Sequence, residues 1–421
     1  MIVDSAIANV TLMGRPGLWT VAWHDGQITH VQAAAVEAQN TLDAEGQLLV
    51  PGFVDAHIHL DKAFLLSRSP AQVGDFAEAL TQTLRLKEQY TVEDIQRRAR
   101  TVLDRAISFG VTAMRCHVEV DPILGLTAMT ALLPLQKAYA PAITLQLAVF
   151  AQEGITNQPG TEALLRQAMD LGGNVIGSAP YVDPEPRRNI EIIFDMAEAY
   201  GCDVDFHLDF LDDDQPLQLP LVIAETQRRQ WQGRVCLGHM TKLASLPPAD
   251  LQTIARDLAA AGIAVLALPA SDLYMMARRD THNVRRGVAP LHQLHQWGAT
   301  VGTATNNIQN LFTPFGDGDM LKMGTLLAQV LQLGTPAQHE FCLNVTTQYA
   351  AQAIGIHDYG IAPGNAADFV LLEAGSASEA IATAPPGRTV FKSGQIVAQT
   401  RLQQMISDII QPARMNSSMP T

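Results

Sequence analysis

Two histidines one residue apart, His57 and His59, close the apolar run that begins at Leu48. Side chains two apart on a strand point to one face. On a strand these imidazoles project side by side, as a metal ion that takes two neighbouring nitrogen ligands requires. The spacing alone also fits two alternating histidines with no chemical role. The rest of the chain adds to the metal reading, because polar residues return at the ends of later apolar segments: His117 and Glu119, Gln152 and Glu153, His207 and Asp209, His239, Asp272 and Asn306. Three imidazoles, His57, His59 and His207, make a neutral, borderline-soft set suited to a first-row divalent ion. Such an ion lowers the pKa of bound water toward ~7 and supplies hydroxide. His239 is then the nearby proton carrier, since an unperturbed imidazole titrates near ~6.5. Gln152 offers one donor group and one acceptor, which matches the edge of a cyclic amide or amidine.

These residues need a scaffold that gathers strand ends. Residues 1–50 read as short strands separated by turns, with His24-Asp25-Gly26-Gln27 as one turn. The texture returns at 367–398. Two hairpin-rich ends, each too small to bury a core alone, are expected to complete one β-sandwich from 1–50 and 359–401. Between them helices alternate with buried strands. Helix 92–108 carries Ile95, Ala99, Val102, Leu103 and Ala106 at helical spacing and is closed by Gly110. About eight strands, each trailed by a helix, predict a (β/α)8 barrel of the TIM type over 51–358. A doubly wound sheet is the competitor, but its site would draw on few strand ends. One helix is expected over 336–354, and a loosely ordered tail over 402–421.

Composition excludes several classes. The 421 residues are 47% hydrophobic with a formal net charge of -14, and no Lys/Arg run offers a nucleic-acid surface. Four scattered cysteines without a C-x-x-C pair argue for reduced thiols in a cytoplasmic protein. The first residues lack the basic and long apolar parts of a signal peptide, and the longest apolar run is too short for a bilayer. Neither H-x-E with C-x-x-C, nor a phosphate-binding loop, nor G-x-S-x-G occurs.

Several stretches together resemble the amidohydrolase superfamily, in its cytosine deaminase and N-isopropylammelide isopropylaminohydrolase branch. They are Pro51-Gly52-Phe53-Val54-Asp55-Ala56-His57-Ile58-His59-Leu60-Asp61, Ala148 to Gly154, Val204 to Asp209, Gly238-His239, Arg285-Arg286-Gly287, Pro314 to Met320 and Gly360 to Asp368. The resemblance spans nearly the whole chain. It implies a distorted (β/α)8 barrel with one catalytic metal, zinc or iron, a sandwich from both termini, and hydrolytic removal of an amine from a heterocyclic ring. His57, His59 and His207 fall on the family's metal histidines, His239 on its proton-transfer histidine, and Gln152 on the glutamine that reads the ring edge. Two positions depart from the pattern. Phe210 stands where the family has its acid/base glutamate, three residues after the third metal histidine. Asn306 stands where it has the metal-binding aspartate. An amide carries no charge and takes no proton from metal-bound water, so ordinary cytosine deamination is not expected. Asp209, on the face of His207 by alternation, is the expected substitute acid/base, with Asn306 left to contact substrate. The run Asp212 to Asp214 reads as a solvated loop, and Lys62 as the ion-pair partner of Asp61. Arg285 and Arg286 could meet an acidic group on a substrate or hold a loop.

The expectation is therefore a hydrolase of non-peptide C–N bonds that acts on a small nitrogen heterocycle or cyclic amide by metal-activated water. Retention of the metal is left open by the amide at 306. The alternative is a degenerate relative that binds a heterocycle without turnover. Self-association is left open.

Overall fold

A computed structural model describes residues 2–210 and 213–405. Five strands open the chain: β1 Val3–Leu12, β2 Arg15–His24, β3 Gln27–Gln32, β4 Ala38–Asp43 and β5 Leu48–Pro51. Eight more follow: β6 Phe53–Ile58, β7 Val111–Glu119, β8 Thr144–Ala151, β9 Val175–Ser178, β10 Asp203–Leu208, β11 Val235–His239, β12 Ile263–Ala267 and β13 Thr300–Thr303. The last three are β14 Phe369–Leu372, β15 Arg388–Lys392 and β16 Gln395–Thr400.

Strands β6 to β13 pair in chain order and in parallel, the barrel expected from the alternating pattern. The ring closes at the site itself. Asn306 N–H donates to His57 O at 2.8 Å, and His59 N–H donates to Asn306 O at 2.9 Å. A left-handed backbone at Asn306 (φ 62°) turns the chain to make both bonds. The wall outside the strands is helical. Helix Val92–Ser108 starts on Thr91, whose side chain accepts from Asp94 N–H, and buries Ile95, Val102, Leu103 and Ile107 against the barrel. Each such side chain contributes roughly 1.5–3 kcal/mol.

The second sheet runs β16-β15-β14-β5-β1-β2-β3 and joins both chain ends, with Trp23, Phe369 and Phe391 packed ring to ring in its core. Buried Arg388 on β15 grips the Asp319 carboxylate, at a barrel helix's N-terminus, with two bonds of 2.8 Å. That bidentate pair fixes the sheet against the barrel.

Three details differ from the sequence expectation. Strand β4 is mostly exposed and polar, so it carries no hydrophobic alternation; it pairs in parallel with β1. The single helix expected over 336–354 is two, Pro336–Asn344 and Gln348–Ala353. At the break, Val345 and Thr346 carbonyls accept from Thr303 and Val54 N–H, so the chain leaves the helix to serve strand backbones. A short helix, Pro269–Met275, follows β12 where none was expected. The four cysteines are buried and free. No helix among the described residues is long and apolar enough to cross a membrane. The tail expected at 402–421 lies largely outside the described residues.

Candidate active site

Alternation along the strands builds the site. Asp55 and His57 share one face of β6 with His59 just past its end, Arg115, His117 and Glu119 share one face of β7, and Asp205 and His207 one face of β10, all buried. Phe150 on β8 stacks on His207 with centroids 4.1 Å apart. His57 fits only because position 238 has no side chain: a Cβ there would lie 2.8 Å from His57 Cε1.

The three imidazoles converge. His207 Nε2 lies 3.0 Å from His57 Nε2 and 3.0 Å from His59 Nε2. One nitrogen each from His57, His207 and His239 also falls within 4.8 Å of the others. Burial first, and neighbouring imidazoles and cations next, hold His57, His59 and His207 well below the usual imidazole range. They are neutral, and a single proton on His207 Nε2 cannot serve two neighbours. A cation suits this donor set better. Behind them, Asp205 Oδ1 and Glu119 Oε1 stand 4.0 Å from His57 Nδ1 and His59 Nδ1, beyond hydrogen-bond reach, and both Nδ1 atoms are buried without a partner.

His239 ends β11 in a left-handed conformation (φ 74°). Its Nδ1 lies 2.7 Å from Asp272 Oδ1, and Asp272 Oδ2 accepts from Leu268 N–H at 2.8 Å. Opposite, the ring of Phe210 packs on His239 with centroids 4.1 Å apart. Asn306 donates from Nδ2 to Ser271 Oγ at 2.8 Å, while its Oδ1 is buried without a partner.

Lys62, 1% exposed, places Nζ 2.5 Å from Glu119 Oε1 and 3.1 Å from Gln152 Oε1, over the Phe312 ring. Glu119 Oε2 meets the second buried lysine, Lys87, which also binds Asp121 and Glu153. Burial raises Glu119, but the two ammonium groups outweigh it and hold the carboxyl well below its usual range. The pairing of Lys62 with Asp61 expected from adjacency does not occur. Asp61 turns away to accept from Glu119 N–H at 2.8 Å. A narrow cavity of about 20 Å³ lies over these groups. His59, Lys62, Gln152, His207, His239 and Asn306 line it on the polar side, and Phe76, Tyr181, Phe210 and Phe312 supply flat walls.

Comparison with known proteins agrees with this geometry. The amidohydrolase family model matches residues 40–89 and 74–398. The chain belongs to the amidohydrolase family. It is 26% identical over 408 residues to N-isopropylammelide isopropyl amidohydrolase of a Pseudomonas species, covering 94% of this chain and 97% of that one. It is 27% identical over 363 residues to pterin deaminase of Rhizobium rhizogenes, covering 84% and 82%. The fold superposes with a TM-score of 0.91 on the crystal structure of Klebsiella pneumoniae 5-methylcytosine deaminase liganded with 5-fluorocytosine, at 29% identity, over 96% of this chain and 100% of that one.

Within this amidohydrolase, His59, His207, His239, Gln152 and Asn306 line one cavity, and His57 touches His207 from below. Asp209 is not brought to it. The backbone turns left-handed at Asp209 (φ 48°), which ends the alternation of β10. Its two carboxylate oxygens accept from Gln218 and Leu219 N–H at 2.8 and 3.1 Å, next to a different cavity. Burial still pushes Asp209 up to about 6. Arg285 pairs with Asp280, and Arg286 donates to Val330 O. Asp213 pairs with Lys242 at 2.5 Å, and Asp212 lies outside the described residues. Sequence reading placed Asp272 at a strand end without pairing it to His239, and did not single out Asp205, Arg115, Lys87 or Ser271. For Asp205 and Arg115 the signal was present, two residues before His207 and His117. For Lys87, on a helix, there was none.

Proposed function

We propose that this amidohydrolase removes an amine from a small nitrogen heterocycle, or opens a cyclic amide, by metal-assisted hydrolysis. The observation that carries this is the approach of His57 Nε2 and His59 Nε2 to His207 Nε2, 3.0 Å each, beside a flat-walled cavity and the His239–Asp272 pair. His57, His59 and His207 would hold a divalent ion, which would supply Lewis-acid activation of water.

The chain's own groups do the rest. With Nδ1–H committed to Asp272, His239 Nε2 takes the proton from water and delivers it to the departing nitrogen as the C–N bond breaks. Gln152 and Lys62 orient the ring, and Phe76, Tyr181, Phe210 and Phe312 suit a planar ligand and exclude bulk water. Phe210 carries no proton, so the acid/base work shared in the family between a glutamate and a histidine falls to His239. Asp209 is a positioning residue that holds the loop after β10. The similarity to an amidohydrolase of N-isopropylammelide and to a pterin deaminase favours turnover over ligand binding alone.

The test is a screen of zinc- and iron-reconstituted protein against pyrimidines, triazines, pterins and cyclic ureas. Wild type is expected to turn over one of these classes, and His57→Ala to lose bound metal and activity together. Full activity in metal-free His57→Ala would overturn the proposal.

A further inference from the structure

The cavity's charge and its hydrogen-bond polarity point the same way. Lysine has only donors. The Gln152 atom 3.1 Å from Lys62 Nζ is therefore the amide oxygen, whichever way the amide is otherwise assigned. Lys62 takes one of that oxygen's two lone pairs, and the ammonium beside it leaves it a poorer acceptor. The NH2 group is the stronger offer to a ligand, shared in part with the Tyr181 hydroxyl. Lys62 is satisfied by Glu119 and Gln152 among the described residues, which leaves a third N–H. The ring-reading end of the site thus offers more donors than acceptors, unlike the balanced pair expected from the glutamine alone.

The charge balance is one-sided too. Among the described residues lining the cavity, Lys62 is the one full charge and none is a carboxylate. Both departures from the family pattern remove a negative charge, with phenylalanine at 210 and an amide at 306. Glu119 offsets Lys62 but lies under it, clamped between Lys62 and Lys87. Asp272 is spent on His239 and Leu268. Deeper carboxylates, Asp121 and Glu153, pair with Lys87 beneath the site, so the one-sidedness concerns the groups that face the cavity.

We infer that the site selects a ring that presents two adjacent acceptors and carries negative charge, such as an ionised cyclic imide or an acidic oxo-substituted azine, over a neutral ring that presents an N–H beside a carbonyl. Lys62 and Gln152 are the specificity-determining pair. This deepens the proposed hydrolase reading by naming its substrate class, but it concerns binding and is measured without turnover.

The experiment is calorimetric titration of zinc-loaded and metal-depleted protein at pH 7.5 with barbiturate, an anionic imide, and with uracil and cytosine as neutral rings of similar size. Barbiturate is expected to bind at least about tenfold tighter than either, in both preparations. Lys62→Met should cut that preference at least about tenfold. Gln152→Glu, which keeps shape and replaces the donor by an acceptor beside Lys62, should do the same and serves if Lys62→Met fails to fold. Equal or tighter binding of cytosine would overturn the inference. So would a preference unchanged in Gln152→Glu. A protein that holds no zinc yet prefers barbiturate would support it while removing the hydrolytic reading.

Discussion

His239 Nδ1 and Asp272 Oδ1 lie 2.7 Å apart, and the aspartate's other oxygen is anchored to the backbone of Leu268. A carboxylate on one side assigns the ring proton to Nδ1, which leaves Nε2 for the reacting groups. Asp272 reaches this place on the short helix Pro269–Met275, 33 residues from His239 along the chain. Asp272→Asn keeps the shape but lets the imidazole adopt the wrong tautomer. Turnover is expected to fall by about 10²–10⁴ with KM and metal content little changed. Steady-state kinetics with metal analysis of the same samples checks this.

Gly238 is the space into which His57 fits. Gly238→Ala places a methyl 2.8 Å from His57 Cε1, so the ring must move. Rings displaced by a few tenths of an ångström lose shared coordination before they lose the fold. Zinc affinity measured against a chelator should drop at least about tenfold, the range of losses from disturbing ligand orientation. A melting midpoint near wild type for the metal-free variant would separate this from unfolding.

Asn306 lines the cavity beside the histidines with an unpartnered oxygen. Asn306→Asp adds an anion next to a divalent site at nearly constant volume. Metal should be retained at least about tenfold longer in chelator-exchange kinetics, because a carboxylate is the better ligand. The same change should weaken binding of an anionic ring.

Asp94 tests the scaffold instead of the site. Burial raises its carboxyl, but Arg68 and Arg98 outweigh burial and hold it at about 2. Asp94 bonds Arg98 at 3.0 Å and Arg68 at 2.8 Å, and Arg98 in turn caps the Asp61 and Ala63 carbonyls. The unfolded carboxyl titrates near ~3.9, so the unfolded chain takes up the proton first as pH falls. The stabilisation, about 2 kcal/mol, is complete above about pH 4 and is lost as pH falls toward 2. Asp94→Asn should show that deficit in urea unfolding at pH 7 and approach wild type near pH 2.5.

Strand alternation made much of this legible in the sequence. His57 and His59 declare a shared face, and the returning polar residues declare strand ends, so the barrel and the nearness of these histidines to His207 follow from period two. Asp209 shows where that reasoning stops. Alternation continues only while the backbone stays extended, and one left-handed residue turns its carboxylate to Gln218 and Leu219. Lys62 shows a second limit. Adjacency suggested Asp61, yet its partner is Glu119, 57 residues away on the neighbouring strand, because pairing depends on which strands lie side by side. Strand β4 was missed because an exposed strand needs no apolar pattern.

The central claim is that three imidazoles from two distant strands hold one ion. Anomalous diffraction from crystals of the zinc-loaded protein tests it most directly. The account predicts one peak ~2.1 Å from Nε2 of His57, His59 and His207. A peak elsewhere, for instance among Glu119, Asp121 and Glu153, with nothing between those histidines would contradict it.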